Sequence, residues 1–192
     1  MRFSISAAKH GELVAKGKYL ITSIDGETIN ALVSWIVNNR PAKTEFTILI
    51  NSSGGAAGLV LYFASFVATL APEVKIVGVA FGECGSAALA LLQCCHERIG
   101  VRDCGFFVHH ISLEFAVNCQ KRDRKYLERS LAESRGVEEE LVRLQCKRAG
   151  MSRRAWMKLA DEGEEMKGRA ILTPRALALG LIDKIVATYP VF

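Results

Sequence analysis

The sequence predicts an α/β fold with a mostly parallel sheet, and three observations lead to this prediction. Two apolar runs, "FTILI" (46–50) and "VKIVGVAF" (74–81), are continuous instead of alternating, as is typical of strands buried on both faces. A glycine-containing turn follows each run, and a helix-like segment follows each turn. The chain of 192 residues, half of it apolar, is long enough for one domain with a buried core. Strands that alternate with helices in this way predict βαβ units.

The elements around these two runs are predicted in chain order. "KYLITSI" (18–24) has the composition of a first strand, and an Asp-Gly turn follows it. Thr28 is a candidate N-cap for the next helix. One face of that helix is defined by apolar residues at helical spacing: Ile29, Leu32, Val33, Ile36 and Val37. Another helix follows the turn "NSSGG" (51–55) and extends to about Leu70.

The remaining segments continue the alternation of strands and helices. Ser86–Cys95 is predicted as a buried helix, and "RIGV" and "FFVHH" as short strands. Ser152 opens a short helix, "SRRAWMKLA", that extends to residue 160. A last helix begins at Pro174 and ends at Gly180, and "LIDKIV" is the last strand.

A long, charged and helix-prone stretch interrupts this pattern between Asn118 and Ala149. Its apolar stripe is narrow and consists of Leu127, Leu131, Leu141 and Leu144. A helix of this kind packs along one edge, so it either lies on the domain or projects toward another subunit. We expect a single domain over residues 1–192, with a head formed by 1–117 and 150–192 and a helical projection at about 118–149.

Composition argues against a nucleic-acid partner and against a membrane partner. The net charge is +5, and glutamates are interleaved with the basic residues, which is typical of solvated helix faces. The most apolar window, 58–71, is too short to span a bilayer, and the N-terminus does not resemble a signal peptide. The carboxylates Glu138 to Glu140 show no metal-ligand spacing, so no metal is expected. We therefore expect a cytoplasmic protein.

The six cysteines support a reducing compartment. None forms a C-x-x-C pair, so free, buried thiols are the expected state. Cys84 lies two residues before Ser86 and could be interpreted as a nucleophile. Its position before the turn favours a packed thiol instead.

Ser86 is the strongest candidate for chemistry. It stands where a strand-like segment changes into a helix, which for an ordinary serine indicates an N-cap. A second glycine turn, Gly54–Gly55, follows another buried strand, and His109 ends the apolar run "FFV". The carboxyl ends of parallel strands meet at one sheet edge, where sites usually form. A serine, a general base and free backbone N–H groups at one edge are what acyl transfer requires.

Five segments in order resemble the proteolytic subunits of Clp protease and their phage-encoded relatives. "INSSGG", "GECGSAALALL" and "FFVHH" are similar to the family's I-N-S-P-G-G, G-x-x-A-S-M-G-A-x-L-L and M-I-H-Q. "YLITSIDGE" and "LTPRALALGLIDKIV" extend the resemblance over most of the chain. The resemblance implies a Clp protease/crotonase-like fold of repeated β-α units with a protruding long handle helix.

The resemblance also implies roles for individual residues. Ser86 would be the nucleophile and His109 the general base, while Gly55 and Ala87 would supply the oxyanion-hole N–H groups. Small residues suit an oxyanion hole because the backbone must approach the substrate closely. His110 replaces the family's glutamine, and we interpret it as a neighbour on the opposite strand face.

The position of the triad acid is ambiguous. Counting back from "LTPRA" places the family's aspartate at Gly168, whereas counting forward from "AGMS" places it near Gly163. We predict Asp161 as the acid. The open alternatives are Glu162, Glu164, Glu165 and loss of the acid.

The function implied by the resemblance is an ATP-dependent serine endopeptidase that acts on peptides or unfolded proteins inside a chamber. Homo-oligomeric rings of seven subunits stacked in pairs would enclose that chamber. An AAA+ unfoldase is the expected partner because the chain has no phosphate-binding loop, and no cofactor is expected. Two alternatives stay open: a crotonase-like acyl-CoA enzyme, and a non-catalytic ring subunit.

Overall fold

The computed structural model of the chain describes residues 7–111, 124–165 and 170–188. Its helices are α1 (Ala7–Ala15), α2 (Gly26–Asn39), α3 (Ala57–Ala68), α4 (Ala87–Gln93), α5 (Arg124–Ala149), α6 (Arg153–Glu165) and α7 (Thr173–Ala178). Its strands are β1 (Lys18–Ile21), β2 (Glu45–Ser52), β3 (Lys75–Gly85), β4 (Glu97–Val101), β5 (Gly105–Phe107), β6 (Ile171–Leu172) and β7 (Lys184–Val186).

The strands form one mixed sheet that is mostly parallel. Strands β1, β2, β3, β4 and β7 are neighbours in that order, and each pair along this path is parallel. Strand β5 pairs in parallel with the end of β3, and β6 adds an antiparallel edge. The main core packs the sheet against α2, α3 and α4, while Leu13 of α1 covers part of the other face. The predicted α/β fold is confirmed.

Strand β3 is the element that positions the candidate site. Its first half, Val77–Ala80, pairs with β4, and its second half, Glu83–Gly85, pairs with β5. An irregular register opposite Ile50 and Ser52 lets the strand continue through the change of partner. The segment "GECG", predicted as a turn, is therefore extended strand, because it has the hydrogen-bonding partner β5.

Helices α2 and α6 each begin with a side chain that accepts a hydrogen bond from the first turn. The N–H of Thr28 donates to Oδ1 of Asp25 at 2.8 Å, so Asp25 is the N-cap of α2 and the prediction of Thr28 was wrong. Ser152 accepts from the N–H of Ala155 at 3.2 Å and opens α6 as predicted. That helix continues to Glu165, beyond the predicted end at residue 160.

Helix α5 is divided into a packed half and an exposed half. Leu141, Val142 and Gln145 are buried in its C-terminal half, whereas Leu131 is 42% exposed. The predicted leucine stripe is therefore not buried along its whole length. Near the end of the helix, the guanidinium of Arg148 donates to the carbonyls of Gln93 and Cys95 and so caps the C-terminus of α4.

No helix in the described ranges combines the length and the apolar character that crossing a membrane would require.

Candidate active site

Ser86 lies in a strained turn between β3 and α4. Its backbone angles are φ 51° and ψ −125°, a region that residues with a side chain rarely adopt. The N–H of Ser86 donates to the carbonyl of Phe107 at 2.9 Å, which holds the turn against β5. The side chain makes no capping hydrogen bond to α4. The hydroxyl is therefore not used as a helix cap.

The Gly54–Gly55 turn lies directly against this serine. A Cβ atom on Gly54 would stand 2.7 Å from Cβ of Ser86 and 3.2 Å from the nitrogen of Ala87. A Cβ atom on Gly55 would stand 2.3 Å from the carbonyl oxygen of Ile24. Both glycines have φ values in the left-handed range, 126° and 147°. Glycine is thus required at position 54 for the loop to approach Ser86 and at position 55 for it to approach Ile24.

The N–H groups predicted for the oxyanion hole border this contact. Ile24 bridges to the loop through the carbonyl of Gly54 and the N–H of Ala56. Backbone groups of successive residues in an extended segment point to opposite sides. The N–H of Gly55, between these two bonded groups, therefore points away from Ile24. Ala87 is the first residue of α4, so its N–H has no acceptor within the helix. The described hydrogen bonds thus leave both N–H groups available, and their role in an oxyanion hole stays a prediction.

His109 reaches the same edge of the sheet by way of β5. Phe107 pairs with Gly85, and the strand ends there, so Ser86 and His109 both leave the sheet at its carboxyl edge. The two residues line one pocket. The apolar part of the pocket wall includes Leu89, Leu141, Val142, Trp156, Met157 and Ala160, and His110, Glu138 and Gln145 add polar groups.

His110 lines the pocket as well, contrary to our placement of it on an opposite strand face. The strand has already ended at Phe107, so the alternation of faces does not apply to residues 109 and 110. The His110 ring lies between two carboxylates: Nδ1 is 3.2 Å from Oε1 of Glu138, and Nε2 is 2.9 Å from Oδ1 of Asp161. The hydrogen bond with Asp161 raises the pKa of His110, and the contact with Glu138 adds to this effect against the opposing effect of burial.

The predicted acid, Asp161, therefore contacts the residue after the predicted base. None of the described hydrogen bonds joins Asp161 to His109. Of the alternatives, Glu162 pairs with Arg175 at 3.2 Å. The side chains of Glu164 and Glu165, and all of Gly168, lie outside the described residues.

The ring of His109 has a backbone contact of its own. Its Nδ1 is 2.5 Å from the carbonyl oxygen of His110. A carbonyl oxygen can only accept, so this contact is a hydrogen bond when Nδ1 carries the proton, which leaves the lone pair of a neutral ring on Nε2. This is the tautomer that a general base for a serine needs.

Helix α6 approaches this segment through a glycine. A Cβ atom on Gly163 would stand 1.8 Å from the carbonyl oxygen of Val108, so no larger residue fits there without movement. The close approach places Asp161, two residues earlier, next to His110. Nothing in the sequence around Gly163 indicates this close contact with Val108. The sequence also carries no indication of Glu138, because no local pattern relates it to His110, which is 28 positions away.

Cys84 is a buried thiol, and burial disfavours its reactive thiolate form. Its side chain is fully buried, and burial raises the pKa of the thiol well above its usual value. Cysteines 94, 95, 104 and 146 are also free thiols, while Cys119 lies outside the described residues. The preference for a packed thiol at Cys84 is confirmed.

The fold and the pocket define an α/β protein with a serine and a histidine at the carboxyl edge of a parallel sheet. The family model for Clp protease matches residues 14–189. The chain belongs to the Clp protease family, whose members are peptidases and generally form oligomeric rings. A comparison with curated proteins finds none that matches this chain.

Proposed function

We propose that this protein is a serine endopeptidase of the Clp type. The observation that carries the proposal is the strained turn of Ser86, whose uncapped hydroxyl shares one pocket with His109. A strained backbone at a side chain without a structural hydrogen bond is characteristic of functional positions. Membership in a peptidase family and the contact of His109 Nδ1 with a backbone carbonyl support the same function.

The proposed reaction follows from the arrangement of these groups. Nε2 of His109 takes the proton of the Ser86 hydroxyl while Oγ attacks the scissile carbonyl carbon. The N–H groups of Gly55 and Ala87 stabilise the oxyanion that forms. The imidazolium then donates its proton to the departing amine, and water, activated by the same histidine, hydrolyses the acyl-enzyme. No step in this scheme needs a cofactor.

The pocket bears on the class of substrate. Its lining combines apolar side chains of α4, α5 and α6 with polar groups of His110, Glu138 and Gln145. A peptide offers both backbone polar groups and side chains to such a surface. We therefore infer peptides or unfolded proteins as substrates.

The assembly is proposed from the family and from α5. We propose homo-oligomeric rings, heptameric and stacked in pairs, that enclose the sites, with α5 as the handle and residues 1–117 and 150–192 as the head. An AAA+ unfoldase would feed substrates into the chamber at the expense of ATP. The free thiols are in keeping with a reducing, cytoplasmic location.

A fluorophosphonate probe tests the function directly. Attack by an activated serine on phosphorus displaces fluoride, and intact-mass spectrometry then detects one added phosphonyl group. We expect labelling at Ser86 in the wild type and none in Ser86→Ala. A wild type that stays unlabelled under all conditions, although folded, would overturn the proposal.

One observation favours a second candidate, a non-catalytic ring subunit. The carboxylate predicted to orient His109 contacts His110 instead. A subunit of that kind would assemble into rings but would not react with the probe. The same labelling experiment therefore separates the two functions, and it also separates the peptidase from an acyl-CoA enzyme, which needs no activated serine.

A further inference from the structure

The peptide group between His110 and Ile111 joins the candidate base to a carboxylate on α5. On one side, its carbonyl oxygen accepts from Nδ1 of His109 at 2.5 Å. On the other side, the N–H of Ile111 donates to Oε1 of Glu138 at 3.2 Å. A trans peptide is planar, and its C=O and N–H point in opposite directions. Fixing the N–H on Glu138 therefore aims the carbonyl at His109.

The same carboxylate oxygen of Glu138 also contacts the side chain of His110. Oε1 of Glu138 lies 3.2 Å from Nδ1 of His110, so ring and peptide are anchored at one point. On the far side of the ring, Asp161 of α6 contacts Nε2 at 2.9 Å. Among the described residues, the charged groups that face Glu138 are thus His110 from the turn after β5 and, beyond that ring, Asp161 from α6. Two helices hold the peptide in place.

We propose that Glu138 is a positioning residue for His109 and acts through the peptide group between His110 and Ile111. The proposal rests on the proposed peptidase function. A carboxylate that accepts from one end of a peptide polarises the carbonyl at the other end, since hydrogen bonds in a chain strengthen one another. The carbonyl then favours the protonated Nδ1 and stabilises the imidazolium that forms during proton transfer. In a serine triad a carboxylate performs both tasks by direct contact.

The surroundings of Glu138 suit this role. Its side chain is 28% exposed and that of His110 31%, so both are partly shielded from water. The next residue, Glu139, has a side chain that is 66% exposed, and its ion pair with Arg153 is 3.9 Å long. Of these two adjacent carboxylates, Glu138 has the short contacts with the turn. Glu139 therefore offers a matched control on the same helix.

The first test compares Glu138→Gln with Glu139→Gln. Glutamine keeps the size and an acceptor oxygen but loses the charge. The measurement is the second-order rate of fluorophosphonate labelling as a function of pH, which needs no known substrate. We expect Glu138→Gln to slow labelling by about tenfold or more, the effect of losing one charge-assisted hydrogen bond, and Glu139→Gln to stay within about twofold.

The pH profile separates this role from a merely structural one. Without the negative charge, the imidazolium that His109 becomes during proton transfer is less stable, so we expect the acid limb of the labelling profile to move to lower pH. A general loss of structure would lower the rate at every pH without this displacement. A Glu138→Gln rate and acid limb equal to those of the wild type would overturn the inference. A wild type without labelling would contradict the peptidase function itself.

The second test uses the wild type, so it does not depend on whether a variant folds. Nitrogen-15 NMR of the imidazole distinguishes the two neutral tautomers of His109. At alkaline pH, where the ring is neutral, we expect a protonated Nδ1, with its proton in a hydrogen bond, and an unprotonated Nε2. The opposite tautomer would overturn the inference, because Nδ1 could not then donate to the carbonyl.

Discussion

At the scale of single residues, Ser86 shows how backbone strain is retained. Its φ of 51° costs about 1–3 kcal/mol for a residue with a Cβ atom. Two features hold it in place: the hydrogen bond from its N–H to Phe107, and the close contact with Gly54. A residue used only as a helix cap would gain nothing from this strain. The strain is therefore more consistent with a reactive hydroxyl than with a structural one.

How well the sequence predicts the position of a side chain also differs from residue to residue. That Ser86 and His109 lie at the same sheet edge could be predicted, because each follows a recognisable strand segment and parallel strands bring such ends together. Asp161 is different, since its partner depends on how closely α6 approaches Val108. That approach is permitted by Gly163, whose missing side chain carries no signal in a pattern of apolar residues. The contact with His110 could not be read from spacing.

Asp161→Asn tests which histidine this carboxylate serves. Its contact is with His110, at 2.9 Å, and its side chain is 66% exposed. We expect turnover to fall by about tenfold or less, because Asp161 acts on the base only through His110. Steady-state kinetics on a peptide ester is the measurement, with Glu162→Gln as the control. A loss of about 10³-fold or more would contradict this and identify Asp161 as the direct partner of His109.

At the scale of whole elements, a strand or helix was predicted correctly where its own residues carry a clear apolar pattern. Strands β2 and β3 were predicted from continuous apolar runs, which are typical of strands whose two faces are both buried. The end of β3 was missed because "GECG" becomes a strand through pairing with β5, which no local pattern encodes. The end of α6 was missed because "DEGEE" has no apolar periodicity. Tertiary contacts decide such segments.

Helix α5 combines two tasks along its 26 residues. Its C-terminal half builds the pocket wall with Leu141 and Val142, so removing the whole helix would destroy the site. Its N-terminal half keeps Leu131 at 42% exposure. An exposed leucine on an otherwise polar helix gains stability only when another surface covers it.

Leu131→Glu is therefore expected to separate stacked rings without unfolding the subunit. The new charge would be desolvated at a contact between handles, whereas in the isolated subunit it stays in water. Sedimentation velocity should show about half the wild-type mass, as expected for single rings in place of pairs. Ala132→Glu, an exposed neighbour on a different side of the helix, is the control. An unchanged mass for Leu131→Glu would contradict the handle role of this half.

At the scale of the whole molecule, a partly buried ion pair joins β4 to the C-terminal segment. The Arg98 side chain is 6% exposed and forms hydrogen bonds with Asp183, with the side chain of Gln93 and with the carbonyl of Gly180. It thereby connects α4, β4 and the turn that precedes β7. Leu181 and Ile182, beside this pair, are buried in the main core. The pair fixes the last strand on a sheet that carries the site at its other edge.

Asp183→Asn is expected to lower the free energy of unfolding at neutral pH by about 2 kcal/mol. Losing the partner of a buried charge costs about 3–5 kcal/mol, and we take a smaller value because the Asp183 side chain is 39% exposed and screened by water. Urea denaturation at pH 7 measures the difference. Asp103→Asn is the control, because Asp103 is exposed and has a φ of 66°, which asparagine adopts readily.

The pH dependence of this difference tests the electrostatic origin. Burial raises the pKa of Asp183, but the hydrogen bonds and the charge of Arg98 outweigh it, so the net pKa lies below the usual value of 3.8. A carboxyl group with a lowered pKa in the folded state stabilises the protein above its unfolded pKa, and this contribution is lost as the pH falls through the folded pKa. The gap between wild type and Asp183→Asn should therefore be constant near neutrality and shrink below about pH 4. A gap that persists unchanged under acid conditions would mean that packing, and not charge, accounts for the effect of Asp183.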